Sequence, residues 1–307
     1  IAKATQASPA IDVFFVSTPT FTHIQAIDDI IDVALRRQQE GLKQQQKSFV
    51  FIEKPVAEDP DAIIALFERA SAANVMIMCG FQRRFDASYK AVKRKVDAGE
   101  AGSLHCARIF FADHPVPSIE FLAKGGDPFM DLAPHDIDYV RWVVDSEPVR
   151  VWAQGSSSTQ VLEDKGVFDN AGITIEFRNG VICTMFMSRG ATYGYDQRAE
   201  FFGSKGVISV ENRLQTTLAQ GNKTGIHRDR LQYSFPSRFH EAFAAEIDLV
   251  IKVCRREAHW PVTVKDCVAA QSIARAASRS SKTGEVVHID CASWASQAKA
   301  ATIAVRA

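Results

Sequence analysis

Three short apolar runs in the first 98 residues, each followed by a helical pattern, restrict the fold more than any other feature. The runs are IDVFFVS (11–17), SFVFI (48–52) and VMIMCGF (75–81). They are rich in β-branched and aromatic residues and do not alternate with polar ones. That is the pattern of strands buried on both faces of a parallel sheet. After the first run TPT breaks the strand. A helix is predicted from Thr22, with Ile24, Ile27, Ile31 and Leu35 near a 3.6-residue period. Its polar end, RRQQEGLKQQQK, reads as a solvated surface insertion. After the second run Asp59 is placed to cap a helix that opens with Pro60 and continues as AIIALFERASAAN. DASYKAVKRKVDAG supplies a third helix. Strand and helix repeated three times mean right-handed crossovers on a parallel sheet.

After Gly102 the rhythm changes. SLHCARIFFA, VRVWAQG, GITIEF, VICTMFMS, RAEFFG and GVISVE read as strands with few helices between them. Asn179-Gly180 is a strong hairpin signal, and GSKG (203–206) makes a second tight turn. Helices are predicted near 237–256 and 263–281. The Ala-rich tail from Cys291 has no assignment. A chain of 307 residues has room for two cores. The expected architecture is α/β: a parallel-sheet domain over 1–98, then an α+β domain with an open, mostly antiparallel sheet over 99–307.

Lys+Arg and Asp+Glu number 36 each, so the formal net charge is zero. A nucleic-acid or acidic-membrane partner would want a basic surplus, so neither is expected. No apolar run approaches the roughly 20 residues that span a bilayer. No secretory signal is visible, which predicts a cytoplasmic protein. The six cysteines are scattered, without a CxxC pair, and read as reduced thiols; no metal site is expected.

In open parallel sheets ligands bind beyond the carboxyl ends of the strands. TPT, EKP (53–55) and GFQRR (80–84) all fall there. Lys54, between Glu53 and Pro55, reads as a surface lysine of a βα loop or as a lysine tuned by charge and burial for proton sharing. In GGDPFMDLAPHDIDYVRWVVD (125–145), Asp131, His135 and Asp138 fall at i, i+4 and i+7 on one helical face. Phe129, Leu132, Ile137, Val140 and Val144 supply the apolar side. A histidine flanked by acids suits proton transfer, and an exposed charged stripe is the other reading. Pro134, just before His135, implies either a helix start or a kink. Tyr193 and Tyr195 fall two apart on one face of an expected strand, for binding or for plain aromatic packing. Arg83 and Arg84 read as binders of a hydroxyl or phosphate, or as a helix-start ion pair with Asp86.

Taken together, STPTFTH (17–23), FIEKPVA (51–57), GFQRRFDASY (80–89), GG…FMDLAPHDIDYVRW (125–142) and YGYDQRAEFFGSKG (193–206) resemble the Gfo/Idh/MocA family of NAD(P)-dependent oxidoreductases, and within it the inositol 2-dehydrogenases. The resemblance implies a Rossmann domain followed by a substrate-binding and oligomerisation domain. It implies oxidation of a secondary hydroxyl of a cyclic polyol, myo-inositol to the 2-keto form first. A related sugar or dihydrodiol dehydrogenase is the alternative activity, and a non-catalytic sugar-sensing relative is the alternative class. NAD is the implied cofactor, with NADP also admitted. In that reading Lys54, Asp131 and His135 are catalytic. Thr18, Pro19, Thr20, His23, Glu53 and Lys54 line the cofactor. Arg83, Asp138, Tyr193 and Tyr195 hold substrate hydroxyls. A homo-oligomer through the open sheet is implied, and the Lys54–Pro55 bond is a candidate for the cis form. The family's Gly-rich GxGxxG turn does not occur before IDVFFVS. The resemblance thus implies that roughly 60 residues of the Rossmann domain, two βα units, lie upstream.

Overall fold

The computed structural model describes residues 12–40 and 47–291. The first residue of the IDVFFVS run, half of the Gln-rich insertion and the Ala-rich tail after Cys291 lie outside them. The described chain packs as two units. One holds the residues up to Phe81 together with Ala245–Ser272; the other holds Gln82–Ala244 and Ile273–Ile289. This differs from the expected division at 98/99. The helix of DASYKAVKRKVDAG groups with the second unit, and a C-terminal stretch returns to the first, because packing follows contact rather than chain order.

In the first unit β1 (Val13–Val16), α1 (His23–Gln39), β2 (Ser48–Glu53), α2 (Pro60–Ala72) and β3 (Val75–Gly80) follow in turn. The sheet order is β1-β2-β3 and both pairings are parallel, with Val13 opposite Phe49 and Ser48 opposite Val75. β2 is the middle strand and is buried along nearly its whole length, which explains its unbroken apolar run. The buried stripe of α1 is Ile27, Ile30, Ile31 and Ala34, an i, i+3, i+4, i+7 set. It lies to one side of the stripe expected from spacing, and Leu35 is left 39% exposed. Asp59 stands at the backbone cap of α2 with Pro60 first in the helix, but its side chain does not accept from the first-turn amides.

The second unit runs through α3 (Ala87–Asp97), β4 (Leu104–Ala112), α4 (Ile119–Ala123), a π-helical turn (Pro128–Leu132) and α5 (Ala133–Val144). β5 (Pro148–Ser156), α6 (Gln160–Asp164), β6 (Asn170–Phe177), β7 (Ile182–Ser188), β8 (Asp196–Gly203) and β9 (Gly206–Val210) follow. A separate exposed hairpin is formed by β10 (Ala219–Asn222) and β11 (Gly225–Arg228). Next comes α7 (Phe235–Arg238). The helices α8 (His240–Cys254) and α9 (Val264–Thr283) each cross from one unit to the other, and β12 (Val287–His288) closes the described chain.

The seven-stranded sheet has the order β12-β5-β6-β7-β4-β8-β9. It is antiparallel except where β4 lies parallel to β7. Asn179-Gly180 turns β6 into β7, with Gly180 at φ 85°, and residues 203–206 turn β8 into β9. Strands β6 and β7 alternate cleanly between buried and more open positions. One face, carrying Ile109, Phe111, Ile173, Ile175, Met185 and Phe201, is core, and α5 packs on β4. The other face shows Trp152, Ile182, Phe186 and Phe202, each 42–48% exposed. Among the described residues no helix is long and apolar enough to cross a membrane.

Candidate active site

In the first unit the candidate residues gather where the parallel strands end. The chain leaves β1 through Ser17, Thr18 and Pro19 and turns through a single 3-10 turn, Thr20–Thr22, into α1. Thr18 and Pro19 are exposed. The Thr22 hydroxyl lies 2.7 Å from both the Thr18 hydroxyl and the Pro19 carbonyl. His23, expected to line a cofactor, is instead 1% exposed. Its Nε2 lies 2.7 Å from the Thr18 carbonyl and its Nδ1 2.9 Å from the Pro55 carbonyl. The ring therefore ties the loop after β1 to the turn after β2. The Lys54–Pro55 bond in that turn is cis.

Glu53 and Lys54 are half-buried at the end of β2. Burial pushes the Glu53 carboxyl above the usual carboxylate range, against the opposing charge and amide of Lys54. The residue that sequence reasoning missed is Glu246, on the first-unit portion of α8. Burial, and then the charge of Glu53, push its carboxyl up to about 9. Its Oε1 has no hydrogen-bond partner among the described residues. The available signal was an acid, with Asp248 close behind it, in the apolar stretch AFAAEIDLVI. Gly80 is required beside it: a Cβ there would stand 2.8 Å from Cζ of Phe51 and 3.3 Å from Oε1 of Glu246.

In the second unit the candidate acid–base residues sit at a helix start. Asp127 accepts from the amides of Phe129 and Met130, at 2.8 and 3.0 Å, and opens the π-helical turn that carries Asp131. α5 then begins at Ala133, with Pro134 in its first turn, so the proline starts this helix and does not kink it. Asp131 and His135 are both half-buried, and Asp131 is ion-paired with Arg189. The wider turn before Pro134 breaks the regular spacing by which Asp131, His135 and Asp138 were expected to share a helical face.

Asp138 and Arg83 are not laid out for hydroxyl binding. Asp138 is 1% exposed and takes a two-pronged hydrogen bond from Arg84, Nε to Oδ2 at 2.8 Å and Nη2 to Oδ1 at 2.6 Å. Arg84 also stacks over Trp142. Arg83 is equally buried. It donates to Gln197 Oε1 at 2.7 Å and pairs with Asp136 at 3.2 Å, between the rings of Phe111 and Phe239. A buried guanidinium or carboxylate needs partners, and here other side chains of the same unit supply the ones found, although Nε and Nη1 of Arg83 make no hydrogen bond among the described residues. Asp86, an alternative partner for these arginines, instead caps α3 and pairs with Arg238 at 2.6 Å.

Tyr193 and Tyr195 do not share a strand face, because β8 begins only at Asp196. Gly194, at φ 122°, turns the chain between them. Tyr193 is 56% exposed and donates to Asp196 Oδ2 at 2.7 Å, and its hydroxyl is pushed up to about 12, by burial first and then by that carboxylate. Tyr195 is buried against Phe111 and Phe239.

A family model described as the GFO/IDH/MocA C-terminal domain matches residues 89–209. An uncharacterized oxidoreductase of Bacillus subtilis, YrbE, is 32% identical over 92% of this chain and 79% of its own length. An inositol 2-dehydrogenase of Rhizobium meliloti is 31% identical over 90% of this chain and 80% of its own. The crystal structure of scyllo-inositol dehydrogenase from Lactobacillus casei, with bound NAD(H) and scyllo-inositol, superposes with a TM-score of 0.82. It is 25% identical and covers 93% of this chain and 82% of that one.

Proposed function

The chain belongs to the GFO/IDH/MocA family of oxidoreductases, and from that premise we propose that it oxidises a secondary hydroxyl of a cyclic polyol, myo-inositol first, with NAD as acceptor. The observation that carries the reading is the helix start at 127–135: an acid held by an arginine, one helical turn before a half-buried histidine.

The residues of the first unit fit the cofactor. The loop after β1 offers an exposed Thr18 hydroxyl and the ring of Pro19 at the carboxyl end of a parallel strand, and His23 pins it to the Lys54–Pro55 turn. Thr18, Pro19, Thr20 and Lys54 would hold that group, with His23 as their tie. When bound, NAD supplies the hydride acceptor. The remaining work falls to the chain. His135 takes the hydroxyl proton as general base. Asp131 orients the imidazole and stabilises it once it is charged. The Lys54 ammonium stabilises the substrate oxygen as negative charge develops on it. The alcohol thereby loses a proton from oxygen and a hydride from carbon, and becomes a ketone. Tyr193, whose hydroxyl donates to Asp196, would take up a further substrate hydroxyl.

The exposed aromatic face of the seven-stranded sheet is assigned to a second copy of the chain, since a row of Trp152, Ile182, Phe186 and Phe202 is a natural interface. The compartment assigned is the cytoplasm.

The test is NADH formation with a panel of inositols, sugars and dihydrodiols, ranked by kcat/KM. The expected result is myo-inositol or a stereoisomer at the top, with Lys54→Ala and His135→Ala each losing about 100-fold or more in kcat. A folded protein that turns over no cyclic polyol or sugar would overturn the proposal.

A further inference from the structure

Arg189, the residue after β7, is 3% exposed, yet its side chain is a permanent cation. Each nitrogen meets a different segment. Nε donates to the Gly126 carbonyl at 2.8 Å, Nη1 donates to Asp113 Oδ2 at 3.2 Å, and Nη2 donates to the Asp131 carboxylate. The guanidinium carbon stands 5.6 Å from the ring centre of Phe121 on α4. The Arg189 amide donates to the Asp169 carbonyl and the Asp113 amide donates to the Ser188 carbonyl, both at 2.8 Å, so the base of the side chain is fixed by the sheet.

One side chain thus joins the end of β4, the loop before the π-helical turn, and the turn itself. Its field also reaches Asp127. Burial pushes Asp113 and Asp127 upward, and in both the Arg189 charge works against that rise. Asp131 needs such a brace. It projects from a π-helical turn, ahead of Pro134, and its side chain is 32% exposed. A short carboxylate there would otherwise sample several rotamers.

Resting on the acid–base reading of Asp131 and His135, we propose that Arg189 is the positioning residue of that pair. It fixes the Asp131 carboxylate from the sheet side, and through it the orientation of His135, without touching the substrate. A planar fork with several donors can hold three acceptors at once, and a lysine ammonium at the same place cannot reproduce that geometry.

The experiment is a double-mutant cycle in the full chain, with NAD and myo-inositol, using Arg189→Lys, Asp131→Asn and their combination. Arg189→Lys keeps the buried charge, and near-UV circular dichroism verifies its fold. It is expected to lower kcat on the order of 100-fold. The polyol KM should change by less than about threefold, since uniform binding is untouched. In the Asp131→Asn background the same substitution is expected to cost less than about a further threefold, because the two side chains act as one unit. A purely structural arginine would give losses that multiply in the double variant. That result, or parental kcat in folded Arg189→Lys, overturns the proposal. His135→Ala separates the premise: if it keeps parental kcat, the acid–base reading fails and the inference falls with it. If it abolishes turnover while Arg189→Lys does not, the positioning role alone is wrong.

Discussion

The two units bury charge by opposite means. In the second, Arg83, Arg84, Arg189 and Arg238 are all buried and each is paired with a carboxylate: Asp136, Asp138, Asp131 and Asp86 in turn. In the first, the arginine pair Arg69–Asp28 joins α1 to α2 in solvent, and the half-buried Glu53 stands beside the buried Glu246. Burying a matched pair adds little net stability, but it makes each member indispensable to the other. Burying an acid beside another acid makes the site bind a proton. The second unit therefore holds rigid charges around its candidate acid–base residues, and the first holds a titratable one at a strand end.

The largest break in this contrast should come from Arg84→Ala. It leaves Asp138 charged, 1% exposed and without its two-pronged donor. A loss of about 3–5 kcal/mol in urea unfolding is expected. A loss under about 1 kcal/mol would mean that Asp138 takes up a proton or that water reaches it, and the second unit would then behave like the first.

Glu246→Gln probes the other side. The carboxyl has its ordinary value near 4.5 in the unfolded chain and is pushed up to about 9 in the fold. The folded state holds the proton between these values and the unfolded state does not. The stability tied to that proton is thus complete below about 4.5 and is lost as pH rises toward 9. Unfolding free energy should fall by about 1 kcal/mol per pH unit across this window in the parent, and the slope should flatten in Glu246→Gln. What remains comes from the other carboxyls raised in the same direction, Glu53, Asp113, Asp127 and Asp136 among them. An unchanged slope would remove the titratable acid from the first unit.

A matched pair of glycines sharpens the packing side of the comparison. Gly80→Ala puts a Cβ 2.8 Å from the Phe51 ring, whereas Gly172→Ala, on β6 of the second unit, meets nothing within 4 Å. The first should cost about 1–3 kcal/mol. The second should be neutral or slightly stabilising, because alanine loses less backbone freedom than glycine in a strand. Equal effects would mean that the end of β3 yields to the added methyl.

Much of this was legible in the sequence, and the failures have one cause. The apolar runs of β1, β2 and β3, the Asn179-Gly180 hairpin and the 203–206 turn are local signals, and each element forms where its residues predict. The parallel contact of β4 with β7 is set by how distant strands meet, so no local pattern announces it. The same holds for the candidate site. EKP and the Asp-x-x-x-His pair could be read because they lie close in sequence. Arg84 with Asp138, Arg83 with Gln197 and Arg189 with Asp131 join residues more than 50 positions apart. Arg83 and Asp138 therefore looked free for a ligand, although core partners hold them. His23 stood in the right motif, but whether its ring would face a ligand or two backbone carbonyls depended on where Pro55 came to rest.

The smallest expected effect is the control on which the contrast turns. Arg69 meets Asp28 through the same two nitrogens that Arg84 uses on Asp138, but both donate to Oδ1, Nη2 at 2.8 Å and Nε at 3.1 Å, and Nη2 also reaches Oδ2 at 3.1 Å. Their side chains remain 45% and 36% exposed, so water and salt compete for both partners. Arg69→Ala should cost under about 1 kcal/mol, and less at high ionic strength. Both pairs join the same two guanidinium nitrogens to a carboxylate, and burial is the largest difference between them. If Arg69→Ala matched Arg84→Ala, the fork itself would carry the energy, and burial would not explain why the second unit pairs each of those arginines with an acid.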